Sequence, residues 1–183
     1  MKIMIKRLSA ILLLTATLVL LCSCYIVSSA KMKNVQGTYE LTTYSTSKNV
    51  KEERGITLYI VVKSDGSGYY AYSDNDTELY YSDLKCRFTQ DSEKSGYYSY
   101  VEVDFNGSGN WFSLGVNSNS KTLGSNVPKY KGNIFDGSFG LDYYTTVTFT
   151  RVDKATDMSY IEEVLGEISY ISNEEVKNRQ SES

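Results

Sequence analysis

Between Gly37 and Asp153 the chain alternates apolar and polar residues with a period of two, the signature of half-buried β-strands. In Ile56 to Lys63 the even positions are Ile, Leu, Ile and Val, and the odd positions are Thr, Tyr, Val and Lys. From Tyr97 to Phe105 one face carries Tyr97, Ser99, Val101, Val103 and Phe105, and the other carries Tyr98, Tyr100, Glu102 and Asp104. A last long strand is predicted over Tyr143 to Val152, with Tyr143, Val147, Phe149 and Arg151 on one face. Shorter strands are predicted at 38–44, 69–73, 78–81, 84–90 and 111–116. Glycine-rich turns at 64–68 and 106–110 fit hairpins, and 73–77 reads as another turn. The stretch 117–137 reads as loop with one short strand near 129–134. Eight or nine such strands predict an all-β fold, either a closed up-and-down antiparallel barrel or a sandwich.

After the strands the period changes. Thr156 or Asp157 can cap a helix, and Met158, Ile161, Leu165 and Ile168 follow at helical spacing, as do Val164 and Ile171. Such a stripe packs on its own sheet, and Gly166 weakens the helix by about 1 kcal/mol relative to alanine. The polar tail 172–183 is expected to be disordered.

The N-terminus has a different character. Lys2, Lys6 and Arg7 precede an apolar run, Ile11 to Leu21, and then Cys22-Ser23-Cys24. This is the layout of an export signal. The run falls short of the roughly 20 residues that a membrane span needs. Leu21-Cys22-Ser23-Cys24 resembles the lipobox of bacterial lipoproteins. The resemblance implies cleavage between Ser23 and Cys24, and diacylglycerol on the Cys24 sulfur, which anchors the protein to the outer face of the cell membrane. The expected organisation is a signal peptide at 1–23, a lipidated tether at 24–35, a barrel with its terminal helix at 36–171, and the tail. A solvated linker is the expected state of the tether.

Removing residues 1–23 leaves 160 residues, enough for one core without disulfides. Three basic residues leave with the signal, so 16 basic stand against 22 acidic ones, about −6. That balance argues against a nucleic-acid partner. No histidine occurs, which excludes Ser-His-Asp and Cys-His catalysis and the common zinc sites. No metal or cofactor is expected. Cys86 is the single cysteine after Cys24 and reads as a small buried hydrophobe.

Gly37-Thr38-Tyr39-Glu40-Leu41 opens the first strand and Thr148-Phe149-Thr150-Arg151-Val152 closes the last. This layout resembles the lipocalin-like, or calycin, barrels, where a Gly-x-Trp motif on the first strand meets an arginine from the last. Tyr39 stands in the tryptophan's place and Arg151 in the arginine's, and the resemblance implies that they close one end of a barrel. The whole is similar to small Gram-positive lipoproteins that carry a lipocalin-like domain.

Candidate chemistry is sparse. The 74–78 run of oxygen-bearing residues lacks the glycine and glutamate of a calcium loop. Glu102 and Asp104 share a strand face about 7 Å apart, which a glycosidase could use, but that face is expected to meet solvent. The 17 tyrosines are the main resource. Inward rings would line a cavity for one small apolar or amphipathic ligand, with Cys86, Phe88, Val101, Val103, Phe105, Trp111 and Tyr143 as the expected lining. The alternative is a filled barrel whose outward rings meet a carbohydrate or protein of the cell envelope.

Overall fold

The computed structural model describes residues 31–44, 48–49, 51–52, 55–74, 79–91, 98–105, 107, 109, 111–116, 122–124 and 147–182. The protein is mostly antiparallel β, one curled, barrel-like sheet with short helices. Its strands are β1 (Gly37–Tyr44), β2 (Lys48–Asn49), β3 (Ile56–Val62), β4 (Ser67–Asp74), β5 (Tyr80–Asp91), β6 (Tyr98–Asp104), β7 (Phe112–Val116), β8 (Thr122–Gly124), β9 (Val147–Asp153) and β10 (Ser169–Tyr170). Helix α1 spans Ser159–Leu165 and α2 spans Asn173–Glu182. Neighbours in sequence pair antiparallel from β3 through β9, and both β3 and β9 pair with β1. The circuit is uneven. Ile56 to Val62 all have partners on β4, whereas the thin β8 meets β7 at only Gly115↔Gly124 and Val116↔Leu123.

The period-two pattern sorts side chains as the pleat demands. Leu58, Ile60, Tyr70, Tyr72, Leu84, Val101, Val103 and Phe149 turn inward into one core. The other face of β3 and β4 is covered too. Tyr59, Val61 and Ala71 form a second apolar layer with Met158, Ile161 and Ile168. Strand β3 is therefore buried on both faces, which explains its run of apolar residues.

Four expectations are corrected. The two strands predicted at 78–81 and 84–90 are one strand, β5, because Ser82 turns inward and is fully buried instead of marking a break. The predicted helix stops at Leu165, since Gly166 takes φ 82° and ends it, and Ile168 and Ile171 lie beyond on an extended segment. The tail expected to be disordered forms α2, held because Val176 is buried. The linker expected to be solvated is helical at residues 31–35, where Met32 and Val35 enter the main core. The strand expected at 129–134 lies outside the described residues, while β8 forms at Thr122–Gly124.

The β3–β4 hairpin depends on Gly68. A Cβ there would overlap the Val61 carbonyl oxygen and touch the Cys86 sulfur at 3.4 Å. Gly68→Ala is expected to destabilise the protein by roughly 3 kcal/mol, read as a lower denaturant midpoint. An unchanged midpoint would mean that the hairpin shifts without strain.

Candidate functional site

The inner wall formed by β5 and β6 carries five of the expected lining residues. Cys86 faces Val103 and Phe88 faces Val101 in register, and Phe105 follows at the end of β6. Burial is the main reason that the Cys86 thiol is pushed up to about 12, with nearby Asp65 adding to it, so the thiol stays neutral. Tyr70 packs edge-to-face on Phe105 at 5.2 Å and on Tyr80 at 6.4 Å. Burial also raises the pKa of the Tyr70 phenol.

Trp111 is not part of this wall. It precedes β7 in phase with Ser113, whereas Phe112 and Leu114 turn inward. Its ring lies under the Arg87 guanidinium, 4.1 Å away. Arg87 also pairs with Glu102, whose other oxygen accepts a hydrogen bond from Ser113 at 3.1 Å. Tyr143, Ser23 and Cys24 lie outside the described residues.

The same geometry bears on the carboxylate pair. Glu102 is engaged with Arg87 and Ser113. Asp104 is buried, contrary to a solvent-facing position, and accepts a hydrogen bond from the Gly109 amide at 2.9 Å. Two carboxylates on one strand face thus hold a cross-strand pair and a turn.

Tyr39 and Arg151 are register partners across β1 and β9. The Tyr39 hydroxyl donates to the Val35 carbonyl at 2.6 Å, and an Arg151 nitrogen donates to the Gln36 carbonyl at 3.5 Å. Burial pushes the Tyr39 phenol up to about 12, outweighing the guanidinium beside it. The pair fastens the helical turn at 31–35 over this end of the sheet. Lys31 extends from that turn over the Phe88 ring, 5.7 Å from its centre. Met32 and Val35 stand three apart in sequence, a helical spacing that could have marked this turn.

Among the described residues, six large inner side chains leave no open space at their surfaces, while Tyr72 and Phe112 keep 8% exposure. Tyr39, Leu58, Ile60, Tyr70, Leu114 and Phe149 all have 0% exposure. A side chain bounding a cavity large enough for water would keep accessible area toward it. On the outside, Tyr69, Tyr81 and Tyr170 form a row in which successive rings meet at 89° and 63°. Lys63 sits 4.0 Å over the Tyr69 ring. Steeply inclined rings make an angular strip instead of the flat platform on which a sugar stacks.

Among the described residues no helix is long and apolar enough to cross a membrane, and no group of His, Cys, Asp and Glu could hold a metal ion. No protein-family model, curated protein or solved structure matches this chain.

Proposed function

We propose that this is an extracytoplasmic lipoprotein, anchored in the cell membrane by diacylglycerol on Cys24, whose barrel is filled and which works through its outer surface. The observation that carries the second half is the packing of the inner face, where large side chains reach zero exposure. It favours a surface partner over a small apolar ligand inside the sheet. The angular strip of Tyr69, Tyr81 and Tyr170 favours a protein partner over a carbohydrate. The fold proposed is lipocalin-like. Its support is the up-and-down pairing order, the return of β9 to β1, and the meeting of Tyr39 with Arg151. In this reading the protein is not an enzyme and uses no cofactor.

Support for the anchor comes from the basic, apolar and Leu21-Cys22-Ser23-Cys24 succession at the N-terminus. The test has two arms. In a bacterium that processes lipoproteins, the chain should sediment with membranes and carry a diacylglycerol mass, and Cys24→Ala should remain an unacylated precursor. Normal processing of that variant would remove the anchor. Native mass spectrometry of a soluble form starting at Tyr25, incubated with host extract, should then give the bare polypeptide mass. A discrete small-molecule adduct would restore the ligand-binding reading.

A further inference from the structure

One edge of the first half of β5 lacks a barrel neighbour. Strand β5 pairs with β4 through Tyr80–Lys85 and with β6 only from Lys85 onward. The free edge at Tyr80 and Tyr81 is taken by the chain's own C-terminal segment. Ser169 and Tyr170 pair with it in parallel, and the Ile171 amide donates to the Tyr81 carbonyl at 2.9 Å. The Tyr170 hydroxyl donates to Asp83 at 2.8 Å, and its ring meets Tyr81 at 5.3 Å.

Next to this edge is a small pocket built of acceptors. With its amide oriented to suit its neighbours, the Asn173 side-chain nitrogen lies 2.8 Å from Ser82 Oγ, 3.1 Å from the Phe105 carbonyl and 3.2 Å from the Asp83 carbonyl. Ser82 is fully buried, Ile171 and Val176 are buried in the segment that covers this edge, and Ile168 enters the second apolar layer with Met158 and Ile161. The groove therefore reads a definite segment: two isoleucines three apart, then an asparagine amide, then a valine. The segment is joined to the body through Gly166, an exposed glycine at φ 82° whose Cβ position meets nothing within 4 Å.

We infer that this groove is a strand-addition site, occupied in cis by residues 167–182 and able to take the same segment from a second copy of the chain. The groove and the segment are complementary parts joined only by Gly166, so the contacts are the same whichever copy supplies them. A second copy is the fitting occupant because every copy carries this complement of groups. The edge of β5 would otherwise offer unpaired backbone groups.

The test uses the full chain in detergent micelles and a labelled synthetic peptide of residues 167–182. Val176→Asp loosens the resident segment and leaves the groove intact. The peptide should bind this variant saturably and at least tenfold more tightly than it binds wild type, where the tethered segment competes at high effective concentration. The same peptide with Asn173→Ala should lose most of this binding. A second variant, Gly166→Pro, forbids the present path out of α1 without touching the groove. It should form dimers that excess peptide dissociates. Equal peptide binding to Val176→Asp and wild type, or a monomeric Gly166→Pro chain with a protease-sensitive C-terminus, would overturn the inference.

Discussion

Replacing Met32 and Val35 together with aspartate should remove about 5 kcal/mol or more of stability, a large part of the 5–15 kcal/mol that a domain has. Both side chains are nearly fully buried in the main core. Removing them forfeits roughly 2 kcal/mol each in apolar burial. Two carboxylates placed there without partners add a desolvation cost of similar or larger size. Thermal unfolding followed by circular dichroism should show a midpoint lower by about 10 °C or more. Lys33→Asp, on the exposed side of the same turn, should change it little. Equal midpoints for the double variant and wild type would show that the turn is not part of the fold. A practical corollary is that a soluble form beginning at Val35 would lack Met32 and inherit part of this defect.

The second large effect is an alkaline loss of stability. Five buried or part-buried groups bind their protons more tightly in the folded protein than in the unfolded chain. Burial lifts Tyr39 from 10 to about 12 and Cys86 from 9 to about 12, and also raises Tyr59, Tyr70 and Tyr80. A raised pKa contributes stability that is fully present below the unfolded value and is lost as pH rises through the folded one. The window therefore opens near pH 9 for the thiol and pH 10 for the phenols; it closes near pH 12 for Cys86 and Tyr39 and higher for Tyr59 and Tyr70. Tyr39 alone accounts for about 3 kcal/mol across it. Denaturant midpoints should fall steeply in that window. Cys86→Ala should flatten its lower edge, and phenolate absorbance should rise together with unfolding. Tyrosines that ionise without loss of structure would contradict the assignment. With no histidine in the chain, no imidazole titrates in the neutral range.

Much of the sheet was legible because its faces differ chemically. The alternation in β3 and β4 located both strands, and the glycines at 66 and 68 located the hairpin between them. Three features were not legible, each for a local reason. Ser82 looks like a break by polarity, yet it is an inward residue whose hydroxyl is satisfied by Asn173. Trp111 and Phe112 are adjacent aromatics, so hydrophobicity alone could not say which one faces in. Phe112 does, which leaves Trp111 to Arg87. The C-terminal segment carries only a few apolar residues among many charges, and its order comes from the groove it occupies. Placement of Cys86 and Phe88 on one strand face with Val101 and Val103 followed from strand phase, whereas the entry of Met32 and Val35 into the same core required the third dimension.

The helical turn at 31–35 sets a leash. With Cys24 acylated, seven chain steps separate the lipid from Lys31, a reach on the order of 25 Å when fully drawn out. Under the proposed anchoring the sheet would be moored by the end where β1 begins, with its far rim about one further strand length into the space beyond the bilayer. Encounters between copies would then take place in a thin layer, by sliding in two dimensions.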